Sequence, residues 1–261
     1  MAPSSHARDA FEPGHAGTFH TYLHESRRPL AMLVAVVPFV IAYEAAAIWV
    51  LEETSGRSGL VSRNLIHTLF ELFGVIGVHL PAVLLVATLL AQHAIARERW
   101  RIVPWVPAGV WAEGAVWSLP LLVLAGVLGL LPAGSPADAM GPGGTPGVLE
   151  SAAIAVGAGL YEEFVFRLVL LAAVHGLLVD ICGAREPVGR WLAVLASAFA
   201  FASYHSLGEG ASIDAGAAAF FGVAGIFLAW LVLTRGYAVA AVAHIVYDVA
   251  VLVLLPRASG G

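Results

Sequence analysis

Apolar residues run along this chain in long unbroken blocks, not in strand-like alternation. A helix that crosses lipid needs about 20 mostly apolar residues. Blocks of that kind cover roughly 30–51, 68–92, 108–131, 148–179, 191–206, 214–234 and 237–255. The pattern predicts an all-α, polytopic membrane helix bundle of about seven transmembrane helices, with an eighth if 65–92 is broken at Pro81. The 148–179 block is longer than one span needs, which predicts a tilted helix or one that begins with an interfacial piece. Residues 1–28 are polar and predict a flexible tail; 29–256 predict one transmembrane domain, and 257–261 a short C-terminal tail. The segment PAGSPADAMGPGGTPG, from Pro132 to Gly147, has the Pro/Gly chemistry of a loop. No internal repeat stands out.

Composition agrees. Of 261 residues, 59% are hydrophobic and only 12% charged, against about 25% charged in soluble domains. Lipid offers no water to solvate charge, so such a deficit fits residence in a bilayer. The net charge of −5 is unclustered, which excludes nucleic acid as an expected partner. Lysine is absent, all 13 basic residues are arginine, and Ala and Gly are abundant, a composition that looks bacterial. Cys182 is the sole cysteine, so neither an internal disulfide nor a CxxC metal knuckle is expected. The first 28 residues lack the basic start and short apolar core of a secretory signal. Their four histidines, His6, His15, His20 and His24, are too irregularly spaced to predict a metal site.

Arginine placement predicts orientation. With the N-terminus cytoplasmic, Arg8, Arg27, Arg28, Arg97, Arg99, Arg101, Arg185, Arg190 and Arg235 fall inside, and Arg57, Arg63 and Arg257 outside. Nine against three favours a cytoplasmic N-terminus and an external C-terminus, and with the bacterial composition the expected location is the inner (plasma) membrane.

Charges within the spans carry the candidate chemistry, because an ionisable group in lipid is functional by default. Glu44, Glu71, His79, Glu113 and His175 each stand alone, and a structural role near a span end or beside a neighbour is expected for them. Three patterned groups differ. In YEEFVFRL, from Tyr161 to Leu168, Glu163 and Arg167 are four apart, acid first, the favourable order for an ion pair on one helix face. Glu162 is rotated about 100° from that face and keeps no local partner. An unpaired carboxylate there is a candidate general base; the bland reading is an ion-pair network that only locks helix packing. In FASYH, Phe201 and His205 share a face, and in HIVYD, His244 and Asp248 do so. Together Glu162, His205, His244 and Asp248 form a set that can polarise water and stabilise an oxyanion, or bind zinc through two histidines and a carboxylate. The sequence leaves both open. Ser203 and Ser206 flank His205 but point elsewhere on a helix, and no GxSxG elbow exists.

The order Glu162-Glu163-x-x-x-Arg167, Phe201-x-x-x-His205 and His244-x-x-x-Asp248 resembles the CAAX protease and bacteriocin-processing family, also called CPBP or Abi. The motifs lie within 150–255, and the earlier spans match only in being hydrophobic. The resemblance implies an intramembrane endopeptidase, a peptidase with its catalytic cavity inside the bilayer. Glu162 and His205 would activate water, His244 and Asp248 would stabilise the oxyanion, and Glu163, Arg167 and Phe201 would support the site. No cofactor is favoured, in keeping with a glutamic-type mechanism; the alternative is a metalloprotease with divalent zinc on Glu162, His205 and His244. The family often has asparagine where this chain has Asp248. An ionised aspartate repels an oxyanion, so the role requires its protonated form or a metal. The expected partners are the lipid bilayer and a protein or peptide substrate arriving from the membrane. Two other classes compete: a non-catalytic immunity or partner-binding scaffold, and a proton-coupled transporter. The span boundaries also predict that His205 and His244 lie about 10 Å or more apart in depth, at 1.5 Å of rise per residue.

Overall fold

The computed structural model describes residues 14–53, 79–131, 147–208 and 215–255. These form eight helices: α1 (Gly14–Glu25), α2 (Pro29–Glu53), α3 (Leu80–Ala96), α4 (Val106–Val127), α5 (Val148–Ile181), α6 (Glu186–Gly208), α7 (Ala215–Arg235) and α8 (Tyr237–Leu254). No strand occurs among the described residues. The chain is an all-α membrane helix bundle. Five helices, α2, α4, α5, α7 and α8, are long and apolar enough to cross a membrane. The 191–206 block lies within the 23-residue α6, and α3 is a shorter apolar helix starting beside Pro81. Expectations for Arg8, Arg57, Arg63, Glu71 and Arg257, for His6 and the His15 side chain, for the part of the 65–92 block before residue 79 and for the 257–261 tail fall outside the described residues.

The bundle is built around α8. Residues Tyr237 to Ile245 are all buried, at 6% exposure or less. Lipid tails are as apolar as leucine, so helices in a membrane associate by close packing of small residues and not by hydrophobic exclusion. The stretch AVAAVA (Ala238–Ala243) supplies them. Glycines answer from its neighbours: a Cβ on Gly114 of α4 would sit 2.6 Å from the Val242 Cβ, and one on Gly159 of α5 2.6 Å from the Ile245 nitrogen.

α5 is not a uniform α-helix. It begins as α over Val148–Gly157, then widens into π-helical turns over Ala158–Glu162 and Phe164–Leu171, and again over Leu177–Ile181. Such turns mark functional segments because they shift side chains off the regular period. Two carbonyls in the widened region are taken up by neighbours: the Tyr237 hydroxyl donates to Leu160 O at 2.7 Å, and the Ser197 hydroxyl to Phe166 O at 2.7 Å.

Within the 1–28 segment expected as a flexible tail, the described residues from Gly14 on form α1, and this helix is docked. Tyr22 is buried, packs on Trp105 at 5.8 Å between centroids, and donates its hydroxyl to Glu113. Glu113 also holds Arg235, with Nη2–Oε2 at 2.7 Å, and accepts from Trp117 Nε1 at 3.2 Å. Burial, with the Glu113 carboxylate beside it, pushes the Tyr22 phenol well above the ordinary range. The polar sequence hid this docking because its partner, Glu113, lies 91 residues away. Gly236, at the α7–α8 turn, faces Met32 and Arg27, so the N-terminal segment covers that turn.

Candidate active site

Three helices converge on one polar cluster. α5 contributes Glu162, Glu163 and Arg167, α6 contributes Phe201 and His205, and α8 contributes His244 and Asp248. Glu162, Glu163, Arg167 and His244 are buried, at 4%, 0%, 1% and 6% exposure. The His205 and Asp248 side chains keep 23% and 17%.

The spacing-based pair forms: Arg167 Nε lies 3.3 Å from Glu163 Oε2. Glu163 does more than brace the helix, however. Its other oxygen accepts from His244 Nδ1 at 2.9 Å, which ties α5 to α8. His244 Nε2 then faces Asp248 Oδ2 at 3.4 Å. Arg167 also lies over the Phe201 ring, with Cζ 4.3 Å from the centroid, and reaches Gly225 O at 3.5 Å.

Glu162 is turned to the other imidazole. Its Oε2 lies 3.6 Å from His205 Nε2, beyond direct hydrogen-bond length. That oxygen is buried and makes no hydrogen bond among the described residues. Buried polar atoms are nearly always paired, so this oxygen, facing an imidazole, is open to a bridging group. His205 Nδ1 lies 3.0 Å from the Phe201 carbonyl. A carbonyl can only accept, so Nδ1 carries the hydrogen and Nε2 is left to exchange a proton on the Glu162 side. The ring is held there by stacking on Phe221, at 4.1 Å and 20° between planes.

The Phe201 ring lies beside both histidines, with centroids 4.6 Å from His205 and 6.0 Å from His244. The first turn of α8 is packed inside the bundle, with the Tyr237 hydroxyl bonded to Leu160 O of α5. Sequence reasoning missed Ser197, Phe221 and Tyr237. For Ser197 a signal was present, since 197, 201 and 205 follow the four-residue spacing of one helix face; for the other two nothing local pointed to the site.

The isolated ionisable groups have partners. Glu44 contacts His79 and accepts from the Tyr161 hydroxyl at 3.2 Å, and His175 Nε2 lies 3.5 Å from Glu186 Oε1. As for zinc, no three His, Cys, Asp or Glu side chains are grouped to hold a metal among the described residues, and both His244 nitrogens face carboxylates.

No curated protein and no solved structure matches the chain. Residues 144–250, which hold all three motifs, match the family described as type II CAAX prenyl endopeptidase Rce1-like, and this similarity supports a CAAX-type intramembrane protease.

Proposed function

We propose that this multi-pass membrane protein hydrolyses a peptide bond in a protein or peptide segment delivered through the bilayer, by a glutamic-type mechanism. Glu162, with His205, takes a proton from the attacking water. The water oxygen bonds to the scissile carbonyl carbon, and the carbonyl oxygen gains the electron pair. His244 and a protonated Asp248 hold that oxygen. The carbon–nitrogen bond then breaks, the proton passes from the Glu162–His205 pair to the leaving amine, and a carboxyl group and an amine are released. Glu163 and Arg167 act one step removed, by fixing His244 and Phe201.

What carries this reading is the orphaned Glu162 oxygen opposite the free face of His205. The family name points to prenylated CAAX ends; the lysine-free, Ala- and Gly-rich composition favours an unprenylated peptide segment in a bacterial plasma membrane. The reading includes a cytoplasmic N-terminus, supported by Arg27, Arg28, Arg99, Arg101 and Arg235 gathering at one end through Arg27–Leu233, Arg28–Arg99, Arg28–Arg101 and Arg235–Ser26 contacts.

The test is comparative terminal proteomics of membranes from cells carrying the wild type or Glu162→Gln. The expected result is a set of uncleaved chains in the variant, with equal amounts of folded protein. Identical termini in both would return the motifs to the scaffold reading.

A further inference from the structure

The connection between α3 and α4, residues 97–105, plays no part in the proposed chemistry, yet it is the most strongly cationic exposed segment described. It reads RERWRIVPW, from Arg97 to Trp105. Arg97, Arg99 and Arg101 are all exposed, and none has a carboxylate or side-chain hydrogen-bond partner among the described residues. Trp100, Ile102 and Trp105 are exposed as well, at 67%, 39% and 43%.

The segment is fixed in shape. Arg28 donates from Nη2 to Arg99 O at 2.7 Å and from Nη1 to Arg101 O at 3.5 Å. Its Nε donates to Glu98 Oε2 at 2.8 Å. The one acid in the segment is thereby neutralised from within the protein. Trp100 packs edge-on against the buried His93 ring at 4.4 Å. Glu98 and Trp100 are taken up by Arg28 and His93. Three exposed guanidiniums with no side-chain partner among the described residues thus sit on a braced loop at the end of a membrane-spanning helix, together with Trp100 and Trp105, tryptophans of the kind that sit at the headgroup level.

We propose that this loop is a docking surface for anionic phospholipid headgroups. Guanidinium presents a planar fork of donors that matches phosphate oxygens. The indole rings and Ile102 contact the upper acyl region while the arginines reach the phosphates. The partner is a lipid and not a soluble acid because the cationic row and the exposed apolar side chains are interleaved on one short segment. This assignment needs only residence in a bilayer and is independent of the proteolytic reading.

The experiment uses the full-length protein in a neutral detergent, with phosphatidylglycerol and phosphatidylcholine as probes and native mass spectrometry as the readout. Each arginine near an anionic headgroup is worth about a fivefold change in affinity, so the triple variant R97Q/R99Q/R101Q is expected to bind phosphatidylglycerol roughly a hundredfold more weakly. Phosphatidylcholine binding stays the same in both proteins. Arg185→Gln, which removes an exposed charge from the α5–α6 connection, leaves phosphatidylglycerol affinity unchanged. Melting temperatures stay equal, since the three side chains brace nothing. Equal phosphatidylglycerol affinity of wild type and triple variant overturns the proposal. So does a loss in Arg185→Gln as large as that from one loop arginine, which reveals general charge attraction. Displacement of the lipid by an equal concentration of glycerol phosphate also overturns it, because the site would then be one for a free anion.

Discussion

A single methyl group at Gly159 tests how the site is held together. The glycine sits in the first π-helical turn of α5, three residues before Glu162, and faces α8. In Gly159→Ala the new Cβ would lie 2.6 Å from the Ile245 nitrogen and 3.0 Å from the Ala241 carbonyl. The Ile245 side chain also stands in the way and can turn aside, but these two backbone atoms cannot. Moving from 2.6 Å to an ordinary 3.4 Å contact displaces α8 from α5 by about 0.8 Å. Carried to the next turn, that displacement stretches the 2.9 Å Glu163–His244 bond to about 3.7 Å, past hydrogen-bond length. Overpacking costs about 1–3 kcal/mol, which lowers the melting temperature in detergent by roughly 2–12 °C. Misplacing a reacting geometry by about 1 Å costs on the order of a hundredfold in rate. Fluorescence-monitored melting reads the first effect, and cleavage of the substrate found by terminal proteomics reads the second. Gly222→Ala, whose Cβ would meet nothing within 4 Å, is the matched control and stays at wild-type values. If Gly159→Ala melts with the wild type and cleaves at its rate, α5 and α8 are not locked as described.

Other outcomes follow from the same contacts. Tyr22→Phe removes the α1–Glu113 hydrogen bond and leaves Arg235 and Trp117 on the carboxylate, so thermal melting should show a loss of about 1.5 kcal/mol with α1 more readily cut by protease. Ser197→Ala strips the partner from the Phe166 carbonyl, and a similar melting series should show a loss of about 1 kcal/mol. The exposed Glu186 carboxyl is held below its ordinary range by the Arg190 hydrogen bond. A depressed folded-state value stabilises above the ordinary carboxylate range and loses that contribution as pH falls through the folded value. The small melting difference between wild type and Glu186→Gln should therefore be present at neutral pH and vanish in acid; a difference that persists in acid contradicts the pairing.

The helices were legible from their length and apolarity, which a bilayer imposes directly. The pairs Glu163–Arg167, Phe201–His205 and His244–Asp248 were legible because helix geometry turns a spacing of four into contact. What spacing could not carry is the linkage between helices. The Glu163–His244 bond spans 81 residues, and nothing near either one announces it. The central place of α8 was hidden for a related reason. A run of small residues reads the same at the edge of a bundle as at its centre, and the close approach of Gly114 and Gly159 is what marks the difference. The docking of α1 depended on Glu113, an isolated acid whose partners come from both ends of the sequence.

The central claim is that Glu162 delivers the hydrolytic water. The most direct measurement is cleavage in oxygen-18 water by purified protein in proteoliposomes after chelator dialysis, read by mass spectrometry of the new carboxyl terminus. The account predicts one heavy oxygen per cleaved chain for the wild type and none for a folded Glu162→Gln. Labelled product from Glu162→Gln at the wild-type rate, or wild-type activity that disappears on dialysis and returns with zinc, contradicts it.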